Sequence, residues 1–154
     1  MRHQDGPVHE IRVGAEVVEL SAAEHAAWLR AEPGAALVER GLLVEVLPDN
    51  AVGFASRHRL IPLALGLGTV EPGLVGLGLL HHPLVLLAPA LADLVQWSPL
   101  SPDLWHACRV SAEAAAGAGI EDPEQIDPRQ VLDGVLAALL TLLGGRAACV
   151  DVRL

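Results

Sequence analysis

Apolar and polar positions change period several times along the chain, and each change predicts an element. Ile11 and Val13, then Val17, Val18 and Leu20, stand among polar residues at strand length, with Gly14-Ala15-Glu16 between them. This predicts a short hairpin. Ser21-Ala22-Ala23-Glu24 follows with the spacing of a capping box, in which Ser21 accepts from the third amide of the helix and Glu24 reaches back to the amide of Ser21. The helix so opened runs through Trp28 to about Ala31, and Pro33-Gly34 stops it. Residues 35–40 predict a second, short helix with Gly41 just past its end. Residues 42–47 alternate weakly and predict a strand, closed by a turn at Pro48-Asp49-Asn50.

The middle of the chain is less periodic. Residues 51–58 predict a helical turn and 60–63 a strand, while Gly66-Leu67-Gly68 and Pro72-Gly73 predict a loop joining two halves. Residues 75–80 and 84–87 then predict a hairpin turning at His81-His82-Pro83. Pro89 suits the first position of a helix that runs to about Trp97. Ser98-Pro99-Leu100 is a turn, and Ser101, with Pro102 after it, is expected to cap a helix to about Ala116. Residues 117–124 are expected as a loop. Asp127-Pro128 opens the last helix, which ends at Gly144-Gly145 before a final strand over 147–152.

Between 131 and 143 only Asp133, Gly134 and Thr141 interrupt the apolar residues. Such a helix is expected to be buried on most sides, either as a central core element or at a dimer interface. The two halves share a plan: strands, a Trp-bearing helix, further helix, Gly, and a strand carrying Val-acid-Val (Val44-Glu45-Val46 and Val150-Asp151-Val152). The expected fold class is therefore α+β, with two winged-helix-like units at 1–50 and 74–154 and a linker segment at 51–73.

Charge narrows the partners. The net charge is −9, from nineteen acidic residues and ten arginines, and the chain has no lysine. Residues 51–100 hold two acids and two Arg, so both flanks are acidic and the centre is neutral. Phosphate backbones favour basic faces, which argues against nucleic acid as the main partner. Mean hydropathy is +0.43, yet Pro62, Pro72 and several Gly break the apolar zone at 60–80 and the longest unbroken apolar run is 135–140. A span needs about 20 apolar residues, so no membrane segment is expected. Residues 1–10 are polar and lack the apolar region of a signal peptide. With Cys108 and Cys149 far apart, a cytoplasmic location with two reduced thiols is expected.

Val17-Val18-Glu19-Leu20-Ser21-Ala22-Ala23-Glu24 through Trp28, then Leu37-Val38-Glu39-Arg40-Gly41-Leu42-Leu43-Val44, resembles the PqqD-like, or RiPP-recognition-element, winged-helix domains. These are small peptide-recognition domains that hold leader peptides for enzymes modifying ribosomal peptides. Residues 84–94 followed by 135–150 are similar in outline, so the pattern extends over about two thirds of the chain. Residues 113–126 depart from it. The resemblance implies peptide binding by strand addition, with Val17, Val18, Glu19 and Leu20 as the edge and Leu37 and Arg40 on the neighbouring short helix.

Missing chemistry points the same way. Without Lys there is no Schiff base and no P-loop grip. Without Tyr there is no phenolic acid. No serine lies in G-x-S-x-G, no C-x-x-C occurs, and Gly66-Leu67-Gly68 lacks the third glycine of a dinucleotide fingerprint. Among seven His, His81 and His82 are adjacent in a turn, His25 has no partner four residues on, and His106 and Cys108 point to different helix faces. No metal and no cofactor is expected. Arg57-His58-Arg59 is either an anion contact or a solvated partner for the acidic flanks. The three Trp, at 28, 97 and 105, are expected in the core. The reading is a non-enzymatic peptide- or protein-binding adaptor beside a modifying enzyme or assembly, possible as a homodimer. The rival readings are a winged-helix DNA-binding regulator and a metal-assisted enzyme.

Overall fold

The structure, a computed structural model, describes residues 9–13, 15–30, 32 and 34–152. Gly14 of the expected turn, Ala31 at the expected helix end, Pro33 of the stop signal and most of the polar N-terminal stretch lie outside the described residues. The fold mixes helices with antiparallel sheets, and it divides into two compact units, Met1–Glu45 and Val46–Leu154.

In the first unit, β1 (His9–Val13) and β2 (Glu16–Leu20) pair antiparallel, with Val13 opposite Glu16 and His9 opposite Leu20. Alternation then decides the buried face: Ile11 and Leu20 are buried, Val18 is half-buried, and Val17 and Glu19 face out. Helix α1 (Ala22–Leu29) opens on the expected capping box. Helix α2 (Ala35–Glu39) closes with Gly41 at φ +68°, where the Gly41 amide donates to Val38 and that of Leu42 to Leu37. Both bonds define a Schellman ending, for which a residue without Cβ is the least strained.

The strand expected at 42–47 does not form. The amides of Leu42 and Leu43 both turn back to the Leu37 carbonyl, and the Leu42 carbonyl accepts from the Trp28 indole at 3.2 Å. Consecutive Leu42 and Leu43 both pack on the cluster of Ile11, Leu20 and Leu37, which a pleated strand does not allow. The first Val-acid-Val of the shared plan therefore has no strand to match the second.

The second unit begins with α3 (Ala51–Ala55), β3 (His58–Pro62) and β4 (Leu65–Glu71). These elements occupy the stretch expected as a linker, and Ala51, Phe54, Ala55 and Leu60 are buried there. Strands β4, β5 (Leu74–Leu79) and β6 (His82–Leu87) form a meander, turning at Pro72-Gly73 and at Leu80-His81. Helix α4 (Pro89–Trp97) starts at Pro89 and leads into a 3₁₀ turn, Ser98–Leu100.

Helix α5 (Leu104–Gly117) is capped by Asp103, not Ser101: the Asp103 carboxylate accepts from the His106 amide at 2.8 Å. The Ser101 amide is spent on Ser98, closing the 3₁₀ turn, and the chain stays extended there. The expected loop at 117–124 includes the start of a short helix, α6 (Pro123–Ile126), capped by Asp122. Helix α7 (Pro128–Gly144) opens on Asp127 as expected, and β7 (Ala148–Val152) returns to pair antiparallel with β3. Leu77, Leu104, Leu132, Val135 and Leu142 are fully buried in the main core.

Helix α7 is not buried on most sides. Leu132, Val135 and Leu142 enter the core, whereas Asp133, Ala137, Leu140 and Gly144 face outward, with Leu140 62% exposed. Trp97 is 66% exposed, so it is not a core residue, while Trp28 and Trp105 are half-buried. Among the described residues no helix is long and apolar enough to cross a membrane.

Candidate peptide-docking edge

The hairpin register settles which main-chain groups of β2 face outward. A two-residue connection separates Val13 from Glu16, and the pair flanking such a connection exchanges both hydrogen bonds. By alternation Ile11–Val18 and His9–Leu20 are bonded pairs, while Arg12–Val17 and Glu10–Glu19 are not. The main-chain groups of Val17 and Glu19 therefore point away from β1, and those of Val18 and Leu20 point into the ladder. No further strand pairs with this edge among the described residues.

Arg40 confirms the direction. From just past α2 its Nη2 donates to the Glu19 carbonyl at 2.9 Å, and its Nη1 donates to the Glu24 carboxylate at 2.6 Å. Glu24 also accepts from the Ser21 amide at 2.9 Å and the Ser21 hydroxyl at 2.8 Å. Its carboxyl is held below the ordinary value, first by the Ser21 amide, then by the Ser21 hydroxyl, and also by the Arg40 charge. One arginine thus ties the end of α2 to the first turn of α1 and to the edge of β2.

The expected site residues divide accordingly. Val17 is 62% exposed and Glu19 is exposed, so both present side chains to solvent, while the Glu19 carbonyl is held by Arg40. Val18 and Leu20 supply core contacts, as does Leu37 of α2, which is 2% exposed. Arg40 is already engaged. Sequence reasoning missed Glu24 as its partner, because the two are sixteen residues apart. His9 stacks on His25 of α1 with ring centroids 4.0 Å apart, and His25 lies 6.4 Å from Trp28.

Arg57 is exposed, the His58 ring donates its Nδ1–H to the Phe54 carbonyl at 2.8 Å, and Arg59 is half-buried with Nη2 3.4 Å from the Pro99 carbonyl. The triplet does not make one basic face. His81 is exposed in the β5–β6 turn, while His82 and Pro83, expected in that turn, begin β6, with His82 exposed; His106 is exposed and Cys108 is buried, on different faces of α5. Burial, then the nearby Asp103 charge, pushes the Cys108 thiol up to about 12, which makes it a poor nucleophile at neutral pH. Among the described residues no group of three or more His, Cys, Asp or Glu is placed to hold a metal ion.

Compared with protein-family models, with curated proteins and with solved structures, the chain finds no match.

Proposed function

We propose that this protein is a non-catalytic peptide- or protein-binding adaptor that adds a partner strand to the outer edge of β2. The reading is carried by one observation: Val17 and Glu19 present main-chain groups outward, and the acceptor at Glu19 is held by a side chain rather than by a strand. A guanidinium can swing away and leave the carbonyl to an incoming amide. In this scheme Val17 and Glu19 contact the ligand, and Arg40 yields the Glu19 carbonyl to it. Val18, Leu20 and Leu37 support the edge from beneath.

Support for a tandem winged-helix-like plan is the order hairpin, α1, α2 in the first unit and, in the second, the β5–β6 arm of the three-stranded meander leading into α4; a role in ribosomal peptide modification beside a modifying enzyme goes with that plan. Cys108 and Cys149 are free thiols, which suits the cytoplasm. A DNA-binding regulator has less support. Its recognition helix would be the five-residue α2, whose Glu39 is acidic and whose flanking Arg40 is tied to Glu24.

The test is selection from a displayed library of random peptides, followed by mapping on the amide spectrum of the full chain. Bound peptides are expected to shift the Val17 and Glu19 amides most. Val17→Pro removes an outward donor and is expected to abolish binding with the fold retained, because proline is tolerated where the N–H faces away from the ladder. Val18→Pro removes a donor to β1 and is expected to disrupt the hairpin itself. Peptides that bind Val17→Pro with unchanged affinity would rule out this edge.

A further inference from the structure

The outward face of α7 has no charged residue between Asp133 and Arg146. Leu140 and Leu143 are exposed along it, Leu140 the more so, while Leu136, one turn before Leu140, is half-buried against the core. The other side of the same helix already fills the core through Leu132, Val135 and Leu142, so the exposed Leu140 and Leu143 are surplus to the fold of one chain.

An exposed ion whose side chain has no hydrogen bond or ion pair among the described residues stands at each end of this stretch: Asp133 in the second turn and Arg146 just past the last. Arg146 sits at an unusual place. Helix α7 ends in a Schellman motif, with the Ala147 amide on Leu142 and the Arg146 amide on Leu143. That motif sets the residue after the cap in the left-handed region, and Arg146 has φ +55°. Glycine is the unstrained choice there, as at Gly41 and Gly119 in the matching endings of α2 and α5. An arginine held against that preference is accounted for by a use for its side chain.

We infer that α7 is the interface of a homodimer, in which two copies of the helix pack antiparallel about a two-fold axis near Leu140. The midpoint of 133 and 146 falls between Leu139 and Leu140. Antiparallel pairing about that point lays the exposed leucines of one copy against those of the other. It also brings Asp133 of each protomer to Arg146 of its partner, about 20 Å apart along the helix at about 1.5 Å per residue. A two-fold axis repeats the ion pair at both ends, as an isologous interface requires. Two chains of net charge −9 repel one another, and an uncharged face closed by reciprocal ion pairs is where that repulsion is least opposed to contact. Antiparallel helices also align their dipoles favourably. This interface is independent of the β2 edge, so either stands if the other fails.

Sedimentation equilibrium of the full chain tests it. The chain of 16.1 kDa is expected to run at twice that mass at tens of micromolar. Leu140→Glu is expected to give a monomer with unchanged circular dichroism, since the residue is exposed. Asp133→Arg and Arg146→Asp are each expected to raise the dimer dissociation constant by about tenfold or more through like-charge contacts. Combining them is expected to restore it to within about threefold of wild type, because the pair is reversed. Misfolding would not be rescued in this way. A wild-type chain that is monomeric at about 100 µM, as it would be if another protein covered this face, overturns the inference. A dimer insensitive to Leu140→Glu overturns it too, as does a charge-reversed pair that stays dissociated.

Discussion

Ser21→Ala tests how the first unit is held together. The substitution takes from the Glu24 amide its acceptor at 3.2 Å and from the Glu24 carboxylate a hydroxyl donor at 2.8 Å. The carboxylate keeps the Ser21 amide and Arg40. Loss of a serine cap costs about 1 kcal/mol, and with half of the box surviving the expectation stays near that value. The amount is large for this unit. Its described buried core is Ile11, Leu20 and Leu37, whose burial contributes roughly 5–9 kcal/mol before chain entropy is charged against it. Native-state hydrogen exchange reads the effect locally. Amides that open with α1 and the hairpin are expected to exchange about fivefold faster, since 1.4 kcal/mol corresponds to about tenfold. Amides of β5 and α7 are expected to keep their rates. Ser21→Gly, which loses the hydroxyl but suits the cap backbone, is expected to cost only about a few tenths of a kcal/mol. Unchanged α1 exchange in Ser21→Ala, or acceleration spread evenly over both units, would refute the reasoning.

Three further perturbations bear on other parts of the structure. Arg146→Gly relieves the left-handed strain and is expected to stabilise the fold by about 1 kcal/mol, seen as a higher melting temperature, while it weakens self-association in the same sample. Gly78→Ala would drive a Cβ into the main chain of the facing strand at His82 and Pro83. It is expected to cost about 3 kcal/mol or more in urea denaturation, because neither strand can yield without breaking the ladder. The Glu24 carboxyl is expected to titrate below its ordinary 4.5 in a carbon-detected pH series and to move up in Ser21→Ala. Since its folded value is the lower one, its contribution is complete above about 4.5 and is lost as pH falls through the folded value, so protection of the Ser21 amide should fall with it.

Local rules with main-chain consequences were the legible ones. Ser21 and Glu24 announce a capping box because both partners sit within one turn. Gly41 and the Asp127-Pro128 pair mark helix ends for equally local reasons. Strand β4 was not legible, because Gly66 and Gly68 break its alternation. Their reasons lie in the folded state: a Cβ at Gly66 would strike the Gln96 side chain, and Gly68 takes φ +76° within an irregular stretch of the β4–β5 register. Gly145 misleads in the opposite sense. It looks like the left-handed residue after α7, yet its φ is −76° and a Cβ there would sit 2.5 Å from Val85. Close approach to β6 fixes glycine at 145 and pushes the left-handed position onto Arg146.

The site was legible as a surface and illegible as a mechanism, and the reason is parity. Alternation in residues 17–20 separates the side chains of Val17 and Glu19 from those of Val18 and Leu20 without any structure. It does not say which pair turns its amides outward, because that depends on whether Val13 and Glu16 form a bonded or a non-bonded pair. Only the hairpin register supplies that parity. Once it is known, the same two residues, Val17 and Glu19, turn both side chain and main chain outward, and Arg40 becomes intelligible. It had been expected as a ligand contact on a helix beside the edge, and it instead reaches across twenty-one positions to the carbonyl that parity turns outward. A guard on that carbonyl keeps an unpaired edge from joining another chain at random. Arg40→Ala is therefore expected to loosen the first unit slightly, as exposed ion pairs contribute little, and at the same time to make the edge more receptive to an added strand.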